Sequence, residues 1–244
     1  MTVSARHVLA IFHKELREYR RNRSLITGMA IIPVIFCVQP LVNVFALSSS
    51  ASVPLRHEHV LLYMLGIPAL VPSFVAAYSV VGERQQGTLE PLLTTPIRRR
   101  ELMLGKALAA LLPSIAVAYA VFGLFLACVE LLALPAVAAA LIRLPDLLAQ
   151  LIFTPLLAGW SIWLAMLISS RSGDVRVAQQ LAALASLPSV ALTTLVALNV
   201  IKASLVTALL AAAALLLLNA VGWQFTSATF DRERLISGPS RPAA

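Results

Sequence analysis

The sequence predicts an all-α membrane protein with six transmembrane helices, and three features of the chain lead there. Of its 244 residues, 59% are hydrophobic and only 12% charged, whereas soluble globular domains are about half apolar and about a quarter charged. The apolar residues come in blocks of membrane-spanning length, not scattered at amphipathic spacing. The basic residues are lopsided: six spans put both termini on one side, and of the 19 lysines and arginines all but Arg56, Arg143 and Lys202 then share that side. Such a bias orients the termini toward the cytoplasm and predicts an integral protein of the cytoplasmic (inner) membrane. It also accounts for the net charge of +8 without a nucleic-acid ligand.

In chain order, residues 5–22 read as an amphipathic helix in the membrane interface. Val8, Leu9, Phe12, Leu16 and Tyr19 fall on one arc, with Lys14, Arg17, Glu18, Arg20 and Arg21 on the remainder. Spans are expected at about 25–47, 60–81, 107–132, 147–168, 178–198 and 204–222, the first five containing proline. The basic leader, the first apolar run and the ALSSSAS stretch imitate a cleaved signal peptide. The leader is long, however, and the apolar run of about 20 residues exceeds a signal core, so an uncleaved span is expected. A Pro- and Leu-rich turn over 134–145 joins spans three and four, and a polar, disordered cytoplasmic tail is expected over 223–244. The outer loops are too short to fold as separate domains, so 1–244 forms a single transmembrane domain.

The one long polar insert, 83–105, lies between spans two and three. Thr88 reads as a helix N-cap, and Glu90 and Pro91 suit a first helical turn. Leu89, Leu92 and Leu93 then share a face. Thr95 and Pro96 read as a second cap and first-turn pair, opening a helix that carries Arg98, Arg99 and Arg100 into span three. The leucine face either docks a partner or lies on the bilayer or a neighbouring span, and spacing alone leaves both open.

The run Glu83, Gly87-Thr88-Leu89-Glu90, Leu92-Leu93, Thr95-Pro96, Arg100-Glu101 and Gly105-Lys106 resembles the signature loop of type-2 ABC transporter (ABC-2 type) permeases. The resemblance implies that the insert holds a cytoplasmic coupling helix fitting a groove on a separate ATP-hydrolysing subunit. It further implies that residues 5–22 form the family's elbow, or connecting, helix. Glu83, Gly87, Thr88, Leu89, Glu90, Leu92, Leu93, Thr95 and Pro96 would then form the contact with the ATPase subunit. ATP and Mg would be bound by that partner and no cofactor by this chain, which would work with a second copy of itself or a similar permease.

The chain's own chemistry is consistent with a non-catalytic role. There is no GxxxxGK[ST] phosphate loop and no HExxH helix. His57-Glu58-His59 lacks a nearby third histidine or cysteine, so a solvated loop is expected there in place of a metal site. Cys37 and Cys128 lie inside apolar runs, where they indicate neither a disulfide nor a metal site. Glu130 is the one carboxylate within an apolar run and, with Gln39 and Asn43 of span one, a candidate for a translocation path. Its place near the outer interface also lets it reach water. Asn219 is expected to join helices by hydrogen bonds. With so few polar groups in the spans, the expected function is export of a hydrophobic or amphipathic compound, with sodium extrusion a further transport reading. The alternative of another class is a non-transporting membrane scaffold that anchors a cytoplasmic ATPase or other partner.

Overall fold

A computed structural model describes residues 4–45, 59–87 and 97–229 of the chain. Among the described residues all regular structure is helical, and six helices are long and apolar enough to cross a membrane. Helix α1 is Ala5–Arg21, and α2, the first span, is Arg23–Phe45. A 3₁₀ segment at Val60–Leu65 runs into α3, Gly66–Gln85, which together make the second span. The third is α4, Arg99–Leu132. A short α5, Pro135–Leu141, precedes α6, Leu144–Arg171, then α7, Val175–Ala197, and α8, Leu205–Thr229.

The second span is the axis of the bundle. Of its most apolar stretch 83% is buried, against 6% for α8. Its side chains are apolar or small on every face, the composition of a helix packed all round. It lies most extensively against α6 and α7, with α2 and α4 on its other sides. At one end Val75, Val80, Met103, Ala109, Ile162 and Met166 form one core. At the other, Val60, Ile67, Phe122, Val129, Val137 and Leu141 form a second.

Several boundaries differ from the sequence expectation, two of them because polar helix ends find partners and so continue the helix. Helix α3 carries on to Gln85, and α8 runs past Trp223 to Thr229. There Trp163 and Trp223 meet edge-to-face at 5.4 Å, and the Thr226 hydroxyl donates to Gly222 O at 2.7 Å. The expected Pro/Leu turn contains α5, with Pro135 in its first turn. Ile97 and Arg98 are not helical, so α4 starts at Arg99 and not after the Thr95-Pro96 pair; the Glu101 carboxylate caps it by accepting from Arg98 N at 3.1 Å. At 34 residues α4 is about 51 Å long, well beyond the hydrocarbon core of about 30 Å. Its first turns pack against α1.

Candidate functional site

The site is built where α1 meets the two helix ends that flank residues 88–96. Residues 88–96 lie outside the described residues, and with them Thr88, Leu89, Glu90, Leu92, Leu93, Thr95 and Pro96. Both of the loop's stems are described. On the first, α3 ends at Gln85, Gly87 N donates to Arg84 O at 3.2 Å, and Gly87 takes φ +69°, a left-handed turn that glycine adopts without steric cost. On the second, Glu101 caps α4 and holds the start of α1, accepting from Ser4 N at 2.7 Å and pairing with His7 Nδ1 at 2.9 Å.

Between these ends sits a buried ion cluster. Lys106 of α4, wholly enclosed, places Nζ 2.8 Å from Glu15 Oε1 of α1 and 2.7 Å from Glu83 Oε2 of α3. The ammonium also donates to Ser79 O at 2.7 Å. Lys14 pairs with Glu83 as well, and with Glu15 at 3.2 Å and Glu18 at 3.1 Å. Carboxylate oxygens of Glu15, Glu18 and Glu83 approach within 4.8 Å of one another, and the two ammonium groups supply the positive charge that such a cluster requires. Burial by itself would raise the Glu15 pKa, but Lys106 and then Lys14 overcome it and hold the carboxyl below its ordinary value. For Lys14, burial is outweighed by Glu15, Glu83 and Glu18, so its pKa rises.

Backbone contact seals the junction. A Cβ on Gly105 would lie 2.7 Å from Ile11 Cβ and 3.1 Å from Val8 O, so the missing side chain lets α1 rest directly on α4. The buried positions of α1 are Ile11, Glu15 and Tyr19, and Leu9 is 55% exposed. The expected apolar arc is therefore rotated, because Glu15 turns inward to Lys106. The end of α3 is also tied to the α6–α7 connection. Arg84 donates to Ser172 O at 2.8 Å and Ser170 O at 3.2 Å, and Ser169 Oγ accepts from Val80 N and Val81 N. Asp174 caps α7 and accepts from Gln85 Nε2 at 3.3 Å.

The other sequence candidates are not drawn into this site. The side chains of Gln39 and Asn43 lie outside the described residues, as do His57 and Glu58. Glu130 is exposed in the last turn of α4. Asn219 joins α8 to α6, donating to Leu156 O at 2.9 Å. His59 is not simply solvated: it pairs with Asp146 at 2.6 Å, and Asp146 with Arg143 at 3.0 Å, which makes a second ionic cluster at the opposite end of the bundle. Asp146 heads a buried polar stripe with Gln150 and Thr154 on one face of α6, legible in the four-residue spacing once α6 is known to start at Leu144. The central role of Glu15 gave no comparable signal, since it is one of two acids on α1 and its partner Lys106 lies 91 residues away.

No curated protein matches the chain. A family model described as ABC-2 family transporter protein matches residues 9–231, from within α1 to just past α8. With six apolar spanning helices and a loop held at both stems, the chain belongs to the ABC-2 transporter family and is a membrane permease of an ABC transporter.

Proposed function

We propose that this permease works as an exporter driven by ATP hydrolysed on a separate nucleotide-binding subunit, paired in the membrane with a second copy of itself or a similar chain. The loop over 88–96 carries the coupling helix, and Leu89, Leu92 and Leu93 bury into the ATPase. Glu83, Gly87, Thr88, Glu90, Thr95 and Pro96 shape or flank that contact. The cargo is hydrophobic or amphipathic, in keeping with spans that offer few polar groups.

The observation that carries this reading is mechanical. A loop transmits displacement only if its ends are stiff, and here both ends are locked to α1 by a buried ion cluster and a helix cap. Closure of an ATPase dimer against the loop would thus act on α3 and α4 together. It shifts the spans only to the extent that the ATP-bound partner favours one arrangement over the other. A scaffold that merely anchors a partner has no use for stiff stems.

The test is co-purification with ATP-binding subunits encoded beside this chain, followed by vanadate-sensitive hydrolysis measured in lipid. A stable complex is expected, and Leu92→Asp should abolish it while leaving insertion intact. Unchanged co-purification of Leu92→Asp would remove the coupling-helix assignment. A complex whose hydrolysis ignores every apolar cargo offered would favour the scaffold.

A further inference from the structure

Where α1 gives way to α2, a groove of about 720 Å³ opens at the level where the first span begins. Three arginines line it: Arg17 and Arg21 from α1 and Arg23 from the first position of α2. Its other cation, Lys14, is engaged by Glu15, Glu18 and Glu83. Among the described residues, no carboxylate forms an ion pair with any of the three arginines, whose side chains are exposed. Around them the groove offers the neutral hydrogen-bonding groups Asn22, Ser24, Tyr78 and Gln86, and one carboxylate, Glu18, whose charge is met by Lys14 at 3.1 Å. Ser24 and Arg23 are also the first residues of α2, the end at which the helix dipole favours an anion.

Along α2 the chemistry then changes abruptly. A second cleft, also of about 720 Å³, lies between α2 and α4 and is lined by apolar side chains and two cysteines. Its α2 wall begins at Ile26 and continues through Ala30, Pro33 and Cys37. Counted from Arg23, these positions recur at three- and four-residue intervals, so the basic groove and the apolar cleft follow one another along the same helix. A soluble anion would use the first and leave the second idle. A protein partner on the basic side could not reach the second at all.

We propose that the groove and the cleft together bind one anionic phospholipid, the phosphate of its headgroup among Arg17, Arg21 and Arg23 and an acyl chain in the cleft between α2 and α4. Guanidinium groups suit this task because their fixed fork of donors matches two phosphate oxygens at once. The lipid would fill the angle between α1 and α2, and so brace α1 beside its ion cluster, two members of which, Lys14 and Glu18, also line the groove. This assignment does not depend on an ATPase partner or on the direction of transport.

The test uses the full chain, purified from bilayers of mixed phosphatidylcholine and phosphatidylglycerol, with retained lipid counted by native mass spectrometry. Wild type should keep phosphatidylglycerol in preference to phosphatidylcholine. Each arginine near an anionic surface is worth roughly a factor of five, so the variant Arg17→Gln/Arg21→Gln/Arg23→Gln should bind it on the order of a hundredfold more weakly. Ala30→Trp, which fills the cleft without changing charge, should also lose the lipid. Arg171→Gln/Arg176→Gln, which removes two exposed arginines elsewhere on the basic side, should keep it. Equal retention of both lipids, or equal loss in the Arg171/Arg176 variant, would overturn the site in favour of general surface attraction. Displacement of the lipid by millimolar inorganic phosphate would reassign the groove to a soluble anion. If the triple variant keeps its lipid but no longer holds an ATP-binding subunit, the groove is a protein-docking surface and the proposal fails. Single Arg17→Gln, at an exposed side chain, reads the same loss more weakly should the triple variant not fold.

Discussion

Lys106 is held by three buried groups from two helices, Glu15 of α1 and Glu83 and the Ser79 carbonyl of α3. Removing its charge leaves Lys14 as the ammonium facing Glu15 and Glu83, and breaking a buried pair from one side costs about 3–5 kcal/mol. Lys106→Met should therefore lower the thermal midpoint in detergent sharply. Adding Glu15→Gln and Glu83→Gln should recover most of that loss, since replacing all partners of a buried pair is often close to neutral. Recovery would separate the electrostatic cost from a simple packing defect. The sign of the pH dependence follows from the depressed Glu15 pKa. Its stabilisation is complete above the ordinary 4.5 and is lost as pH falls through its lower folded value. The deficit of Glu15→Gln relative to wild type should hence be constant through neutral pH and shrink only in acid. A deficit that vanished between pH 6 and 8 would show that a group other than Glu15 governs the junction.

At the scale of the element, α1 and the first turns of α4 behave as one body, cross-linked by Glu101 at one point and Glu15 at another, with Gly105 between. Gly105→Val would thrust a branched side chain into Ile11 and the Val8 carbonyl, and overpacking of that kind costs about 1–3 kcal/mol. Greater exposure of α1 amides to hydrogen exchange, with α7 unchanged, is the expected signature. The existence of every spanning helix could be read from the sequence because blocks of Leu, Ala and Val announce themselves locally. The ends could not. Glu83, Glu101 and Lys106 look like loop chemistry until their partners are known, and Glu15 lies 91 residues from Lys106. No periodicity within one helix reveals a pairing across that distance. The same blindness hid the bond between His59 and Asp146, which are 87 residues apart.

For the molecule as a whole, six spans require the α6–α7 and α7–α8 connections to face opposite sides. Ser172 is buried and makes a poor labelling position, but Gly173 and Lys202 are exposed. Cysteines placed at those two positions should react with impermeant reagent from opposite sides of sealed vesicles. Reaction from the same side would break the six-span arrangement. The number of spans and the class of protein were legible because both follow from summed hydropathy and charge, which need no knowledge of contacts. The cluster of His59, Arg143 and Asp146, the polar stripe on α6 and the rotation of α1 were not, because each depends on which helix stands beside which.

The separation between Glu15 and Lys106 also has a consequence for how the chain is made. Synthesis proceeds from the amino end, so α1 leaves the ribosome before anything it will rest on. Its acid must stay hydrated, and its inward face uncovered, until Gly105 and Lys106 have emerged behind it. The first element in the chain thus cannot settle until two spans have been inserted and the third begun. A nascent chain halted before Gly105 should display α1 to protease, and one released after Leu132 should hide it.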